Sequence, residues 1–140
     1  MSALVADVAE AEEFLAKNPD IDTIQVVFTN QSGVGRGKNL RRHELLPVYQ
    51  HARYLPGTML ALDITGDDVD ESGLVWANGD ADYLGKPIPG TLVRAPWLGP
   101  TFAQVLLSVY ELDGSPCAYD PRHVLRRVID RFKEFDLTPV

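Results

Sequence analysis

Phe102-Ala-Gln-Val-Leu-Leu-Ser-Val-Tyr-Glu-Leu112 is apolar at most positions and is followed by the turn pair Asp113-Gly114. A run of that length and composition predicts the central strand of a sheet. The element after it is specified as firmly. Asp120 is placed to cap a helix, and Pro121 takes the first helical position, where its missing N–H is harmless. Val124, Leu125, Val128, Ile129, Phe132 and Phe135 then recur at helical spacing, while Arg122, Arg126, Arg127, Arg131 and Lys133 cover the remaining surface. Leu137-Thr-Pro-Val140 reads as entry into another strand, so a fragment or an engineered domain boundary is expected at the C-terminus.

Upstream, Leu4, Val5, Val8, Ala11, Phe14 and Leu15 repeat with helical period after Ser2, a candidate N-cap, and Asn18-Pro19 ends the helix. Ile21 to Thr29 is β-branched and reads as a strand with Ile24, Val26 and Phe28 on one face. Asn30 to Gly37 reads as a hairpin turn, with Lys38-Asn39-Leu40 in the returning strand. Arg41 to His51 is expected to form a short helix interrupted by Pro47, and Met59 to Ile64 a further strand. Asp82 to Pro96 alternates short extended pieces with Pro and Gly. The sum is an α+β domain with a mostly antiparallel sheet, an N-terminal helix and a packed C-terminal helix.

Chemistry concentrates after Met59-Leu-Ala-Leu-Asp-Ile64, which opens into the acidic loop Thr65-Gly-Asp-Asp-Val-Asp-Glu-Ser-Gly73. Asp63 stands between Leu62 and Ile64, where a carboxylate needs a partner or a task if it is buried. No Lys or Arg occurs from Asp67 to Asp82, so this segment is solvated, binds a cation or faces a basic partner. The whole chain of 140 residues is one domain's worth and carries a net charge of -7, which argues against general nucleic-acid binding. Cys117 is alone, the N-terminus lacks a signal-peptide pattern, and no run is long enough to span a membrane. A cytoplasmic domain is expected.

Several short motifs fail on detail. Gly33-Val-Gly-Arg-Gly-Lys38 suggests a phosphate loop, but Ser32 stands where the leading Gly is required and Asn39 follows the Lys. Asp68, Asp70, Ser72 and Gly73 fit the start of a calcium loop whose closing Glu is replaced by Gly79. His43-Glu44 lacks the second His of a zinc-protease helix, because Pro47 occupies its place. His51 and His123 read as surface or packing residues, the arginines after Asp120 as a solvated face. No metal-ligating residue is assigned.

Taken in order, the Val26-Val-Phe-Thr29 strand with its Gly-containing hairpin, Leu62-Asp63 with Glu71-Ser72, Pro96-Trp97, and Asp113-Gly-Ser-Pro-Cys-Ala-Tyr-Asp-Pro-Arg122 form a pattern. From about Ile21 onward the chain resembles the N-terminal β-grasp domain of the glutamine synthetase family. Ala61-Leu-Asp-Ile-Thr-Gly66 and Glu71-Ser-Gly-Leu74 look closest to the branch that γ-glutamylates polyamines such as putrescine. The resemblance implies an N-terminal helix over 1–18, a β-grasp domain over 19–120, and over 121–140 a closing helix and the start of a catalytic domain.

It also implies a ligase. In that family ATP phosphorylates the side-chain carboxylate of glutamate and an amine displaces the phosphate, with magnesium or manganese holding the phosphates. Those ligands belong to the family's larger C-terminal domain, so no cofactor is expected on these residues and no catalysis from them alone. The N-terminal domain completes the active site of a neighbouring subunit in a ring of identical chains, so the expected partners are its own and neighbouring catalytic domains. Asp63 stands where the family carries an Asp that binds and deprotonates the incoming ammonium. Glutamine synthetases have Asp-Gly-Ser-Ser there, against Asp63-Ile-Thr-Gly66 here, which points to an amine larger than ammonia. Asp63, Gly66, Asp67, Asp68, Asp70 and Glu71 are the expected substrate-binding set, with Asp63 as the catalytic member. The competing expectation is a stand-alone β-grasp module that docks a basic partner on its acidic loop.

Overall fold

The computed structural model describes residues 5–77 and 79–139. Along the chain these form α1 (Val8–Lys17), β1 (Thr23–Thr29), β2 (Gly35–Arg41), α2 (Leu45–His51), β3 (Arg53–Pro56), α3 (Thr58–Ala61), β4 (Asp82–Pro87), β5 (Val93–Arg94), β6 (Phe102–Tyr110) and α4 (Pro121–Lys133). Single 3-10 turns lie at Arg42–Glu44 and Asp70–Ser72.

β6 is central, as its composition requires. One of its edges pairs parallel with β1, from Thr23 opposite Phe102 to Val27 opposite Leu106. The other edge pairs antiparallel with β5 and then with β4. β1 pairs antiparallel with β2, and β4 with β3, so the sheet runs β2-β1-β6-β4-β3. The result is an α+β fold with a mostly antiparallel sheet. Ile24, Val26 and Phe28 are buried on one face with Leu40, Ala103, Val105, Leu107 and Val109, and α1 and α2 add Ala11, Leu45, Val48 and Tyr49 to the same core.

Four local readings change. Asp7, rather than Ser2, caps α1 by accepting from the Ala9 N–H at 2.9 Å, and Ser2 and Leu4 lie outside the described residues. The hairpin turn is shorter than expected, because pairing already begins at Gly35 opposite Thr29. The glycines here serve strand approach: a Cβ on Gly37 would stand 1.9 Å from the Val26 carbonyl oxygen. Met59 to Ile64 is not a strand. Asp80 accepts from the Thr58 N–H at 2.9 Å, and Thr58–Ala61 forms the helical turn α3, with the Leu60 N–H donating to the Gly57 carbonyl at 3.1 Å rather than to a neighbouring strand. Finally, β3 is a strand that the sequence did not announce. It lies at the sheet edge, where its terminal Pro56 costs no ladder bond.

α4 is held by its first turn. Asp120 is buried, its Oδ1 accepts from the Arg122 N–H at 2.7 Å, and its Oδ2 accepts from the Val109 N–H of β6 at 2.6 Å. His123 is buried beside it, edge-on to the Tyr110 ring. Beyond that turn the apolar side of the helix is open, with Leu125 at 59% exposure and Val128 at 47%. Residues 137–139 have no regular structure and Val140 lies outside the described residues.

Two cations tie the N-terminal segment to the sheet. Arg42 donates to the carbonyls of Leu15 at 2.6 Å, Asn18 at 2.7 Å and Ile21 at 2.8 Å, so one guanidinium closes the C-terminal end of α1. Arg42→Ala is expected to destabilise the fold by about 2 kcal/mol, since these carbonyls then lose a charged donor. An unchanged melting temperature would contradict that assignment. Arg94 makes a bidentate pair with Asp20, at 2.9 and 2.6 Å, and the guanidinium's hydrogen bonds hold the Asp20 carboxyl down at about 2. Because the folded state favours the carboxylate, the pair contributes stability above the ordinary carboxyl value and loses it as pH falls through about 2. Carbon-detected NMR titration should find the Asp20 midpoint near 2, and Arg94→Ala should return it towards 3.8.

Candidate functional site

α3 ends at Ala61, and the chain leaves it extended through Leu62, which places Asp63 at the mouth of the acidic loop. The Asp63 side chain then folds the loop around itself. Its Oδ1 accepts from the Thr65 hydroxyl at 2.7 Å, the Thr65 and Gly66 N–H groups at 2.8 Å each, and the Asp67 N–H at 3.0 Å. The Asp63 N–H donates to the Asp67 carbonyl at 3.0 Å, closing the turn from the other side. Gly66 sits at φ +99, a conformation that side chains disfavour. Thr65 Oγ1 is also 3.0 Å from Asp67 Oδ2, so its single proton is shared between two carboxylates.

The electrostatic consequence is direct. Hydrogen bonds from the Thr65 hydroxyl first and the Asp67 N–H next each outweigh the opposing effect of burial, and the Gly66 and Thr65 N–H groups add to them, so the Asp63 carboxyl is held below its ordinary value. The carboxylate is ionised at neutral pH. All four bonds fall on Oδ1, and among the described residues none reaches Oδ2. That oxygen keeps its lone pairs for a donor from outside.

Asp63 borders a groove of about 370 Å³ whose lining includes Gln31, Ser32, Leu62, Val69, Glu71 and Ser72. Of the expected binding set, Asp63 and Glu71 thus share one groove, while Gly66 and Asp67 form the turn at its edge. Asp68 and Asp70 are exposed and stand outside its lining. Asp70 and Glu71 lie in the 3-10 turn that ends at Gly73. Among the described residues no three His, Cys, Asp or Glu side chains are grouped so as to hold a metal ion. No helix among them is long and apolar enough to cross a membrane.

The residues that hold the loop were not singled out by sequence reasoning. Asn30, with no exposed surface, accepts on Oδ1 from the Ser32 and Val34 N–H groups and donates through Nδ2 to the Leu62 carbonyl at 3.0 Å. Ser32 Oγ approaches the same carbonyl at 3.4 Å. Arg36, on β2, donates to the Asp63 carbonyl at 2.9 Å. Asn30 is legible as a turn residue, because Asn commonly bonds its own backbone two residues on. Its reach to Leu62 is a tertiary fact with no local signature.

No protein-family model matches the chain. Curated proteins do. The chain is 30% identical over 131 residues to γ-glutamylputrescine synthetase PuuA of Escherichia coli K12, covering 94% of this chain and 28% of that protein. It is 34% identical over 114 residues to γ-glutamylethanolamide synthetase GlnA4 of Streptomyces coelicolor, covering 80% of this chain and 24% of that protein. Among solved structures, one described as a novel glutamine synthase homolog superposes with a TM-score of 0.68 at 20% identity, over 81% of this chain and 27% of that one. The match is to the same α+β fold. By sequence and by fold, the chain is homologous to ligases of the glutamine synthetase family and spans about a quarter of their length.

Proposed function

We propose that this chain forms the amine-side domain of an ATP-dependent glutamate–amine ligase, and that Asp63 receives the amine. The carrying observation is the Asp63 carboxylate itself, saturated on Oδ1 and open on Oδ2 at the edge of a groove. A carboxylate held ionised in that way attracts an ammonium group and orients it by a charge-assisted hydrogen bond. Its lowered affinity for protons makes it a weak base for the resting ammonium. The ammonium must first lose one proton to solvent to free the lone pair that attacks the acyl phosphate. Once the nitrogen bonds to the acyl carbon and phosphate leaves, its next proton is far more acidic, and a weak base such as Asp63 can accept it.

Glu71 in the same groove, and Asp67, Asp68 and Asp70 around it, extend the negative field along the path of a longer amine. The names of the two curated relatives, one for putrescine and one for an ethanolamide, support an organic amine over ammonia. ATP and its metal would be held by other parts of the ligase, of which this chain spans about a quarter. Those parts comprise this subunit's catalytic domain and those of its neighbours in a ring of identical chains. The open apolar side of α4, with Val124, Leu125, Val128 and Phe132 exposed, supports packing against a further domain and disfavours a stand-alone module.

Asp63→Asn in the whole ligase tests the reading. The amide oxygen can keep the turn's hydrogen bonds, but the charge is lost. The value of kcat/KM for the amine is expected to fall about 100-fold, with the KM for glutamate nearly unchanged. Amide formation at wild-type rate under saturating amine would show that Asp63 has no such role.

A further inference from the structure

Arg36 stands next to the most acidic stretch of the chain, yet among the described residues it forms no ion pair. Its Nη2 donates instead to the main-chain carbonyl of Asp63 at 2.9 Å. It extends from β2 opposite Phe28, and its guanidinium lies under the acidic turn: a Cβ on Gly66 would stand 3.5 Å from Nη1 and 3.9 Å from Nη2. Its Nε is buried without a hydrogen-bond partner, so the side chain accepts a cost to hold this geometry. One residue earlier, the Leu62 carbonyl is gripped by Asn30 Nδ2 at 3.0 Å. Two consecutive carbonyls leading to the Asp63 side chain are therefore clamped from the β1–β2 hairpin. A guanidinium that neutralised Asp63 would compete with an incoming ammonium. Bonded to the carbonyl, it fixes the carboxylate's position and leaves Oδ2 open.

We infer that Arg36, supported by Asn30, is a positioning residue for Asp63: the hairpin sets where the amine-receiving carboxylate stands, and so tunes amine capture. This rests on the reading of Asp63 given above. It concerns a residue that touches no substrate.

The test is Arg36→Ala and Arg36→Lys in the whole ligase, with Asp63→Asn in parallel. Two readouts are needed: steady-state kinetics for each substrate, and the Asp63 carboxyl titration followed by carbon-detected NMR. Arg36→Ala is expected to raise the KM for the amine about 10-fold, with those for glutamate and ATP within about twofold, because a small misplacement of a binding group is costly. It should also move the Asp63 midpoint up towards its ordinary value as the turn loosens. Arg36→Lys, which keeps one donor, should fall between, and added guanidinium ion should restore amine affinity to the Ala variant. A purely structural role would lower the melting temperature and shift all three KM values together, without rescue, and would overturn the inference. So would an Asp63 midpoint that does not move. If the midpoint moves and Asp63→Asn impairs amine use while Arg36→Ala does not, only the Arg36 inference fails. If Asp63→Asn leaves amine kinetics unchanged, the Asp63 reading fails and the role of Arg36 in amine capture falls with it.

Discussion

An amide side chain with no solvent contact must find its hydrogen bonds inside the protein, and where Asn30 finds them organises this molecule. Its oxygen turns the β1–β2 hairpin by accepting from Ser32 and Val34. Its nitrogen crosses to Leu62, more than thirty residues along the chain. The hairpin edge of the sheet and the acidic loop are thereby one unit. The rest of the fold gives that unit a rigid base. β1 is locked between β2 and the central strand β6, and α1 and α2 cover the face that carries Ile24, Val26 and Phe28.

The acidic loop would be self-repelling if its charges were merely solvated side by side. Asp63 resolves part of this by taking four donors onto a single oxygen, which gathers Thr65, Gly66 and Asp67 into a turn. That geometry has two consequences at once. It keeps the carboxylate ionised, and it leaves Oδ2 without a hydrogen bond from the described residues in a side chain that lines a groove together with Glu71. The hydrogen bonds that fold the turn are thus also the ones that keep the carboxylate charged, as the proposed capture of an ammonium group requires.

Elements whose pattern is self-contained were legible in the sequence. β6 is recognisable because its composition suits a strand buried on both faces, and α4 because Asp120 and Pro121 mark its start. The alternation of Ile24, Val26 and Phe28 placed β1. Elements decided by distant partners were not legible. Met59 to Ile64 has the composition of a strand, but its first residues belong to the helical turn α3, whose leading Thr58 N–H is held by Asp80 from beyond the acidic loop. β3 was hidden because a short edge strand ending in Pro56 carries little pattern of its own. At the site, the sequence could single out Asp63 as a carboxylate between apolar neighbours at the entry to an acidic loop. The clamp of Asn30 and Arg36 could not, because it depends on how the hairpin meets the loop.

The central claim is that this groove receives an organic amine for ligation to glutamate. The most direct measurement compares kcat/KM of the whole ligase for putrescine, ethanolamine and ammonium at fixed glutamate and ATP. The account predicts amide formation with at least one organic amine at a higher kcat/KM than with ammonium. A ligase that prefers ammonium, or that forms no amide with any of the three, would contradict it.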